Sequence, residues 1–451
     1  MKRYVITSAQ ACALPHLHFW NGLKRYAKKM KAEIIVLPMI GKKGTDEDWT
    51  LIHPAFKEYV SYGKRTLNSN IKIEQFHVRP QQMDPITSLK RFAQRGTTLV
   101  FASPKQRLSP IAHSNQKYPK FLITTGAVTL PNYATSDDSS AERRRLGDIA
   151  RRDHVFGALI VEVVNDEMFH FRHIRANTDG DFVDLGIRYS ENGEKKSALE
   201  AMVLGDWHNG QTDDVVRKVT YQMIKELNPQ RLVLHDFFDG HSVNHHTEKK
   251  LIREKLIHMV DNGFHLLDVE LKQGYDQLME FNELMKGKPI IVVFSNHHAF
   301  LHRYLDEGRF YKDLSNFRTA TELVRYMSDK DYNDPVYAGF RKFGRIPRNI
   351  KFLREDEDYK VRGYQLGSHG DKGLDGGYGS LQSKEDDWGK SITGHVHKAQ
   401  MIRNTYTVGT SLKRNMFYMR GYPSAWTHSH ALLWDNGSVQ LVHIIEDEWR
   451  G

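Results

Sequence analysis

Five short segments of this 451-residue chain place carboxylate, amide and imidazole side chains at spacings that suit metal ligation. They are Gly205-Asp206-Trp207-His208, His235-Asp236-Phe237-Phe238-Asp239, Ser295-Asn296-His297-His298, Gly367-Ser368-His369-Gly370 and Thr393-Gly394-His395-Val396-His397. Residues one apart on extended backbone point the same way, so Asp206 with His208, and His395 with His397, can each offer two ligand atoms to one side. A lone D-x-H arises easily by chance, whereas five such elements in one order are much harder to dismiss. The glycine of G-H-x-H lets the backbone turn tightly beneath its two histidines. The single cysteine, Cys12, excludes an internal disulfide and a cysteine-held zinc, so any ion must rest on His, Asp, Asn or Glu.

The elements that must carry these segments alternate in type. A strand at Ala201–Leu204, a helix from about Thr212 to Leu227, a strand at Arg231–Leu234, helical material over 248–284 and a strand at Pro289–Phe294 follow one another, and each strand ends in polar residues. In α/β sheets the carboxyl ends of strands are where ligands bind. Upstream, Tyr4–Thr7, a helical pattern through Phe19, Leu23 and Tyr26, and Glu33–Pro38 predict a βαβ-like opening. Further strands are predicted at Lys72–His77, Thr98–Ala102, Lys120–Thr124, Gly157–Val164 and Met168–Ile174. The polar break Glu191–Lys196 sets the expected boundary between a separate α/β or α+β N-terminal domain of unknown role, 1–195, and a second domain, 196–451.

The ordered series resembles the calcineurin-like metallophosphoesterase superfamily, whose pattern runs D-x-H, G-D-x-x-D, G-N-H-D/E, an isolated His and G-H-x-H; the resemblance covers roughly residues 200 to 412. It implies an α-β-β-α sandwich over 196–451, a first ion on Asp206, His208 and His397, a second on Asn296, His369 and His395, and Asp236 bridging them. It also implies His297 as the catalytic histidine facing the scissile phosphate, with Asp239 the partner that orients it. His235 and Ser295 stand where the family has Gly, and His298 where it has Asp or Glu; none of these departures removes a ligand. Two such ions neutralise phosphate oxygens and generate a metal-bridging hydroxide at neutral pH. Mixed imidazole and carboxylate ligation suits manganese, iron or zinc, and manganese is the ion expected in assays.

A fold of this kind does not choose its substrate. A net charge of +10 favours a polyanionic partner. With Arg303, Arg309 and Lys312 close to the motifs, and Arg143, Arg144 and Arg145 in the polar stretch 134–145, it leads to the expectation of a DNA nuclease similar to SbcD-type exonucleases and related phage-encoded DNA-degrading enzymes. The same cations also read as solvated helix faces. Two rivals stay open: a phosphomonoesterase or nucleotidase acting on a small substrate, and a non-catalytic nucleic-acid-binding protein on the same fold. Of the 24 histidines, those outside the motifs are expected at the surface or in packing, with one or two lining the cleft and His241 and His298 foremost. With 39% hydrophobic and 27% charged residues, and neither a signal segment nor a membrane span, the expectation is a globular cytoplasmic protein, in the host cytoplasm if phage-encoded, with no membrane partner. A homo-oligomer is left open. The chain closes in a predicted hairpin around Asp435-Asn436-Gly437 without a coiled-coil-binding extension, so an ATPase partner is unsupported.

Overall fold

The computed structural model describes residues 1–39, 51–93, 96–114, 119–133, 140–246, 256–328, 334–373, 376–377, 379–414, 416 and 421–451. Among them the chain is mixed α/β, built on two large sheets. The first has six strands in the order Ile350–Phe352, Ile290–Val292, Leu232–Leu234, Leu199–Val203, Ser429–Trp434 and Val439–His443. Its first four strands are parallel, with Met202 paired to Leu232, Leu232 to Ile290, and Ile290 to Ile350.

Strict alternation along these strands fills both faces of the sheet. Met202, Leu204, Leu232, Leu234, Ile290 and Val292 point into a core shared with helices Asp214–Leu227, Leu267–Met285 and Pro335–Arg341. Their neighbours Ala201, Val203, Val233, Ile291 and Val293 point the other way, against Ile392, Met401, Tyr406 and Val408 of the second sheet. Helix Asp214–Leu227 forms where the pattern predicts it. The Asp213 side chain accepts from the backbone of Val215 and Val216 at its start, and Asn228 ends it in the left-handed conformation at φ 48°. Helix Leu381–Trp388 lies on the outer side of the second sheet, so the layers there run helix, sheet, sheet, helix.

The second sheet draws its strands from both sides of residue 195, where the domain boundary is expected. It has ten strands, in the order Lys360–Val361, Tyr364–Gln365, Ser391–Thr393, Thr405–Thr407, Gln400–Ile402, Arg107–Ile111, Lys120–Thr124, Thr98–Phe101, Ile71–Ile73 and Arg65–Asn68. Met401 pairs with Leu108 and Ile402 with Arg107, so residues 65–124 continue the sheet that carries the histidine motifs. The reason is an edge that must be covered: Gln400–Ile402 would otherwise leave its unpaired amides open. The predicted boundary itself is a hairpin, because Glu194–Lys196 pairs with Ile187–Tyr189. The opening βαβ is as predicted, with Lys2–Gln10 parallel to Ala32–Met39 and helix Leu17–Met30 between them. Helical material over 248–284 resolves into Leu256–Asp261 and Leu267–Met285, while 248–255 lies outside the described residues. No helix among the described residues is long and apolar enough to cross a membrane.

Several buried histidines hold the sheets as neutral groups. Burial pushes His173 down to about 4 and His428, His430 and His443 to about 3. His430 shows why neutrality matters: its Nδ1 accepts from the Gly205 amide at 2.9 Å and its Nε2 donates to Thr220 at 2.8 Å. A proton on Nδ1 would set donor against donor beside Asp206. Unfolded histidine titrates near 6.5, so between about pH 6.5 and 3–4 the unfolded chain binds protons the folded one refuses. This stabilisation is complete above pH 6.5 and is lost as the pH falls. The urea midpoint should therefore drop steeply between about pH 6.5 and 4.5; a midpoint that stays level over that window contradicts the account.

Candidate metal centre

The parallel registers bring the polar segments to one end of the molecule. Met202 and Leu232 are paired, so the residues four further on, Asp206 and Asp236, emerge side by side. In the second sheet Gln365 pairs with Ser391 in parallel, so His369 and His395 emerge side by side in the same way. The two pairs meet where the sheets face each other.

All seven residues predicted as ligands are brought together. Asp206 Oδ2 lies 3.3 Å from His397 Nε2, which lies 3.2 Å from His208 Nε2. His208 Nε2 is 3.5 Å from Asp236 Oδ2, and the same oxygen is 3.1 Å from His369 Nε2. The rings of His369 and His395 are 5.3 Å apart, and His395 Nδ1 is 3.3 Å from Asn296 Oδ1. One group of ligand atoms, from Asp206, His208, Asp236 and His397, falls within 4.8 Å of one another and could hold a metal ion.

Three features fit that use. Both carboxylate oxygens of Asp206 and Oδ1 of Asp236 are buried without a hydrogen-bond partner, a cost that a cation would remove. Two imidazole Nε2 atoms at 3.2 Å would set lone pair against lone pair unless a proton or cation lies between them. The backbone is also strained locally, with His208, Asp236, His395 and His397 all at φ between 44° and 72°. Gly394 explains the G of G-H-x-H. A Cβ there would overlap Asp206 Oδ1, so close approach rather than a turn requires glycine.

Protonation follows the crowding. Burial, with the charge of Asp236 adding to it, raises Asp206 to about 8. Burial works against Asp236 too, but the imidazoles of His369, His297 and His208 overcome it and hold this carboxyl well below the usual range. His369 is raised to about 9, as the attraction of Asp236 outweighs burial. Burial lowers His395 to about 4.

Asp239 meets His297, the residue it is expected to orient, through its main chain, and His208 through its side chain. Its backbone carbonyl accepts from His297 Nδ1 at 2.5 Å, while its carboxylate accepts from His208 Nδ1 at 2.8 Å and stands 3.6 Å from His297. It therefore sets the tautomer of His208, leaving Nε2 to face Asp236 and His397. Sequence reasoning missed Glu270. This side chain is buried in helix Leu267–Met285, accepts the backbone amides of His241 and Ser242 at 3.1 and 3.0 Å, and stands 3.0 Å from His241 Nδ1. His241 Nδ1 is in turn 3.2 Å from Asp239 Oδ2, which makes a buried line Glu270–His241–Asp239–His208. A signal existed: Glu270 falls on the apolar stripe of Leu267, Leu271, Leu278 and Phe281, where a charge needs a partner. Lys384 was also missed. Buried, and lowered to about 8 by that burial, it donates to Thr393 at 3.1 Å and wedges against Gly370, behind His369 and His395.

A cleft of about 1030 Å³ opens beside Asn296, His369 and His395. Arg303 lines it, and so do His245 and His246; His298, by contrast, is buried, its Nε2 accepting from the Phe238 amide. Arg309 is half-buried, donating to the Val243 carbonyl and packing over Tyr304, which makes it a brace rather than an open cation. Lys312 is exposed and does not line the cleft. Arg143, Arg144 and Arg145 form an exposed face of helix Ala141–Arg152, also away from the cleft lining, and residues 134–139 lie outside the described residues.

No family model matches the chain, and no solved structure matches it. Among curated proteins it is similar to Protein A1 of Escherichia phage T5, at 27% identity over 480 residues, covering 98% of this chain and 81% of that protein. Two outcomes follow from the geometry. Gly394→Ala and Glu270→Gln should each weaken divalent-cation binding about 10- to 100-fold, measured by calorimetry; full affinity in both would show that neither the close approach nor the buried line matters. Since Asp206 and His369 carry protons at pH 7 without a cation, binding should release protons and tighten as the pH rises toward about 9. Equal heats in buffers of different ionisation enthalpy would contradict this.

Proposed function

We propose that the chain is a phosphodiesterase of the calcineurin-like metallophosphoesterase kind, with DNA as its substrate. The observation that carries this reading is the contiguous cluster of Asp206, His208, Asp236, Asn296, His369, His395 and His397, assembled from the ends of two facing sheets. The helix, sheet, sheet, helix layering supports the corresponding sandwich.

In this reading Asp206, His208 and His397 would hold one divalent ion and Asn296, His369 and His395 a second, with Asp236 a ligand available to either. Bound there, two ions would neutralise phosphate oxygens and activate water for attack, with manganese the first choice for a mixed imidazole and carboxylate set. His297 gives or takes the proton at the leaving oxygen. Its Nδ1 is committed to the Asp239 carbonyl, so Nε2 is the atom that works, and the ring is partly open to solvent. His208 is kept in the ligating tautomer by Asp239, and Lys384 and the wedge it forms hold the His369 and His395 turns at a fixed separation.

DNA is favoured over a free nucleotide by the net charge of +10, by the size of the cleft beside the cluster, and by Arg303 on its wall. With manganese, the purified protein should degrade linear DNA. Phosphate release from nucleotides alone would favour the phosphomonoesterase reading, and DNA binding without hydrolysis the non-catalytic one. Asp236→Ala should abolish both cation binding and hydrolysis. His297→Ala should retain the cations and lose at least about 100-fold in turnover; wild-type turnover in either variant removes the assignment.

A further inference from the structure

An aromatic file runs along one wall of the cleft. The rings of His246 and His245 are 3.8 Å apart, and Phe300 meets them at 6.0 and 5.5 Å. Phe300 is in turn 4.8 Å from His297, whose ring is 4.5 Å from His208. The file therefore leads without a break from exposed His246 to the candidate catalytic histidine. The ring next to that end is tethered: Arg303 donates to His245 Nε2 at 2.9 Å, which takes up the ring's lone pair and fixes its orientation. Neither His245 nor His246 belongs to the cluster of seven, and the hydrophobic core does not need them.

Another stretch of the cleft lining differs in kind. Residues 355–358 are acidic, but each is ion-paired, Glu355 with Lys372, Asp356 with Arg354, Glu357 with Lys351 and Asp358 with Lys360. Such a wall offers no free cations to a phosphate backbone, while its carboxylate oxygens can accept from base amino groups. Arg303, which also stands 3.7 Å from Glu307, is the cation beside the aromatic file that a phosphate can approach.

We propose that His245 and His246, backed by Phe300 and tethered by Arg303, form a stacking platform for the base next to the scissile phosphate, so that the preferred substrate is an unpaired strand or a frayed end rather than intact duplex. This inference rests on the phosphodiesterase reading and deepens it. A base can lie on the platform only after leaving its own stack, a cost that is least for single-stranded DNA.

The experiment compares three substrates with manganese: a single-stranded oligonucleotide, the blunt duplex of the same sequence, and the base-free diester bis(4-nitrophenyl) phosphate. The wild-type protein should cleave the single strand at least about tenfold faster than the duplex. In the double variant His245→Ala/His246→Ala, the ratio of kcat/KM for the oligonucleotide to that for the base-free diester should fall at least about tenfold, mainly through KM. His246→Phe should restore most of that ratio, because any aromatic face can stack. Equal cleavage of duplex and single strand, or an unaltered ratio in the double variant, overturns the platform and leaves the phosphodiesterase reading in place. A wild-type protein that hydrolyses the diester but no oligonucleotide overturns the DNA substrate and the platform together, and one that hydrolyses nothing overturns the phosphodiesterase reading itself.

Discussion

Two buried carboxylates share their space with several imidazoles. Asp206 and Asp236 are buried with oxygen atoms that find no donor, and His208, His369 and His397 press their nitrogens against them. Such crowding opposes folding, because burial drives a proton onto Asp206, Asp236 cannot spread its charge into solvent, and the Nε2 atoms of His208 and His397 face each other. The rest of the fold works to hold it: four residues of the cluster accept left-handed backbone, Gly394 gives up a side chain, and Lys384 places a buried amine between two turns.

What makes the crowding reproducible is register. A one-residue slip in either sheet would turn every inward side chain outward. The alternation of Ala201 and Val203 with Met202 and Leu204 forbids that slip, since both faces of the strand are buried in different cores. The same alternation therefore fixes the fold and aims Asp206 and Asp236. The second sheet repeats the device with Gln365 and Ser391, and the amide of Gly394 donates to the His369 carbonyl to lock the two loops together. Precision at the cluster is a property of strand pairing more than of the loops that carry the residues.

The parts legible in sequence were those governed by local periodicity and local chemistry. Strand Lys120–Thr124 and helix Asp214–Leu227 declare themselves by apolar spacing and a capping aspartate, and the ligand set declares itself by residue type at strand ends. What escaped depends on pairings far apart in the chain. Nothing near Arg107 announces that it will pair with Ile402, so residues 65–124 read as part of a separate domain. Glu270 gives no local sign of its partner, because His241 opens a 3-10 turn 29 residues earlier in the chain. Asp239 was found, but its division of labour, carbonyl to His297 and carboxylate to His208, is a matter of rotamer and turn that spacing does not encode. The cleft-lining histidines were misplaced for a related reason. His298 sits beside a motif yet turns inward to Phe238, while His245 and His246, further from any motif, reach the cleft.

The continuity of the second sheet changes what the first 195 residues mean. Lys105, buried, pairs with Asp153 at 2.8 Å, and Arg403 bridges from Asp153 at 3.7 Å to Glu385 on the helix that carries Lys384. That line of charges runs from the N-terminal strands to the back of the His369 and His395 turns. Asp153 also meets Arg152 at 2.7 Å and so is the hub of the line; removing it would leave buried Lys105 without its counter-charge, at a cost of several kcal/mol. The N-terminal strands are therefore part of the frame that sets the spacing of the histidines, whatever else residues 1–195 do. The cluster is thus braced from the far side of the sheet by residues that never approach it.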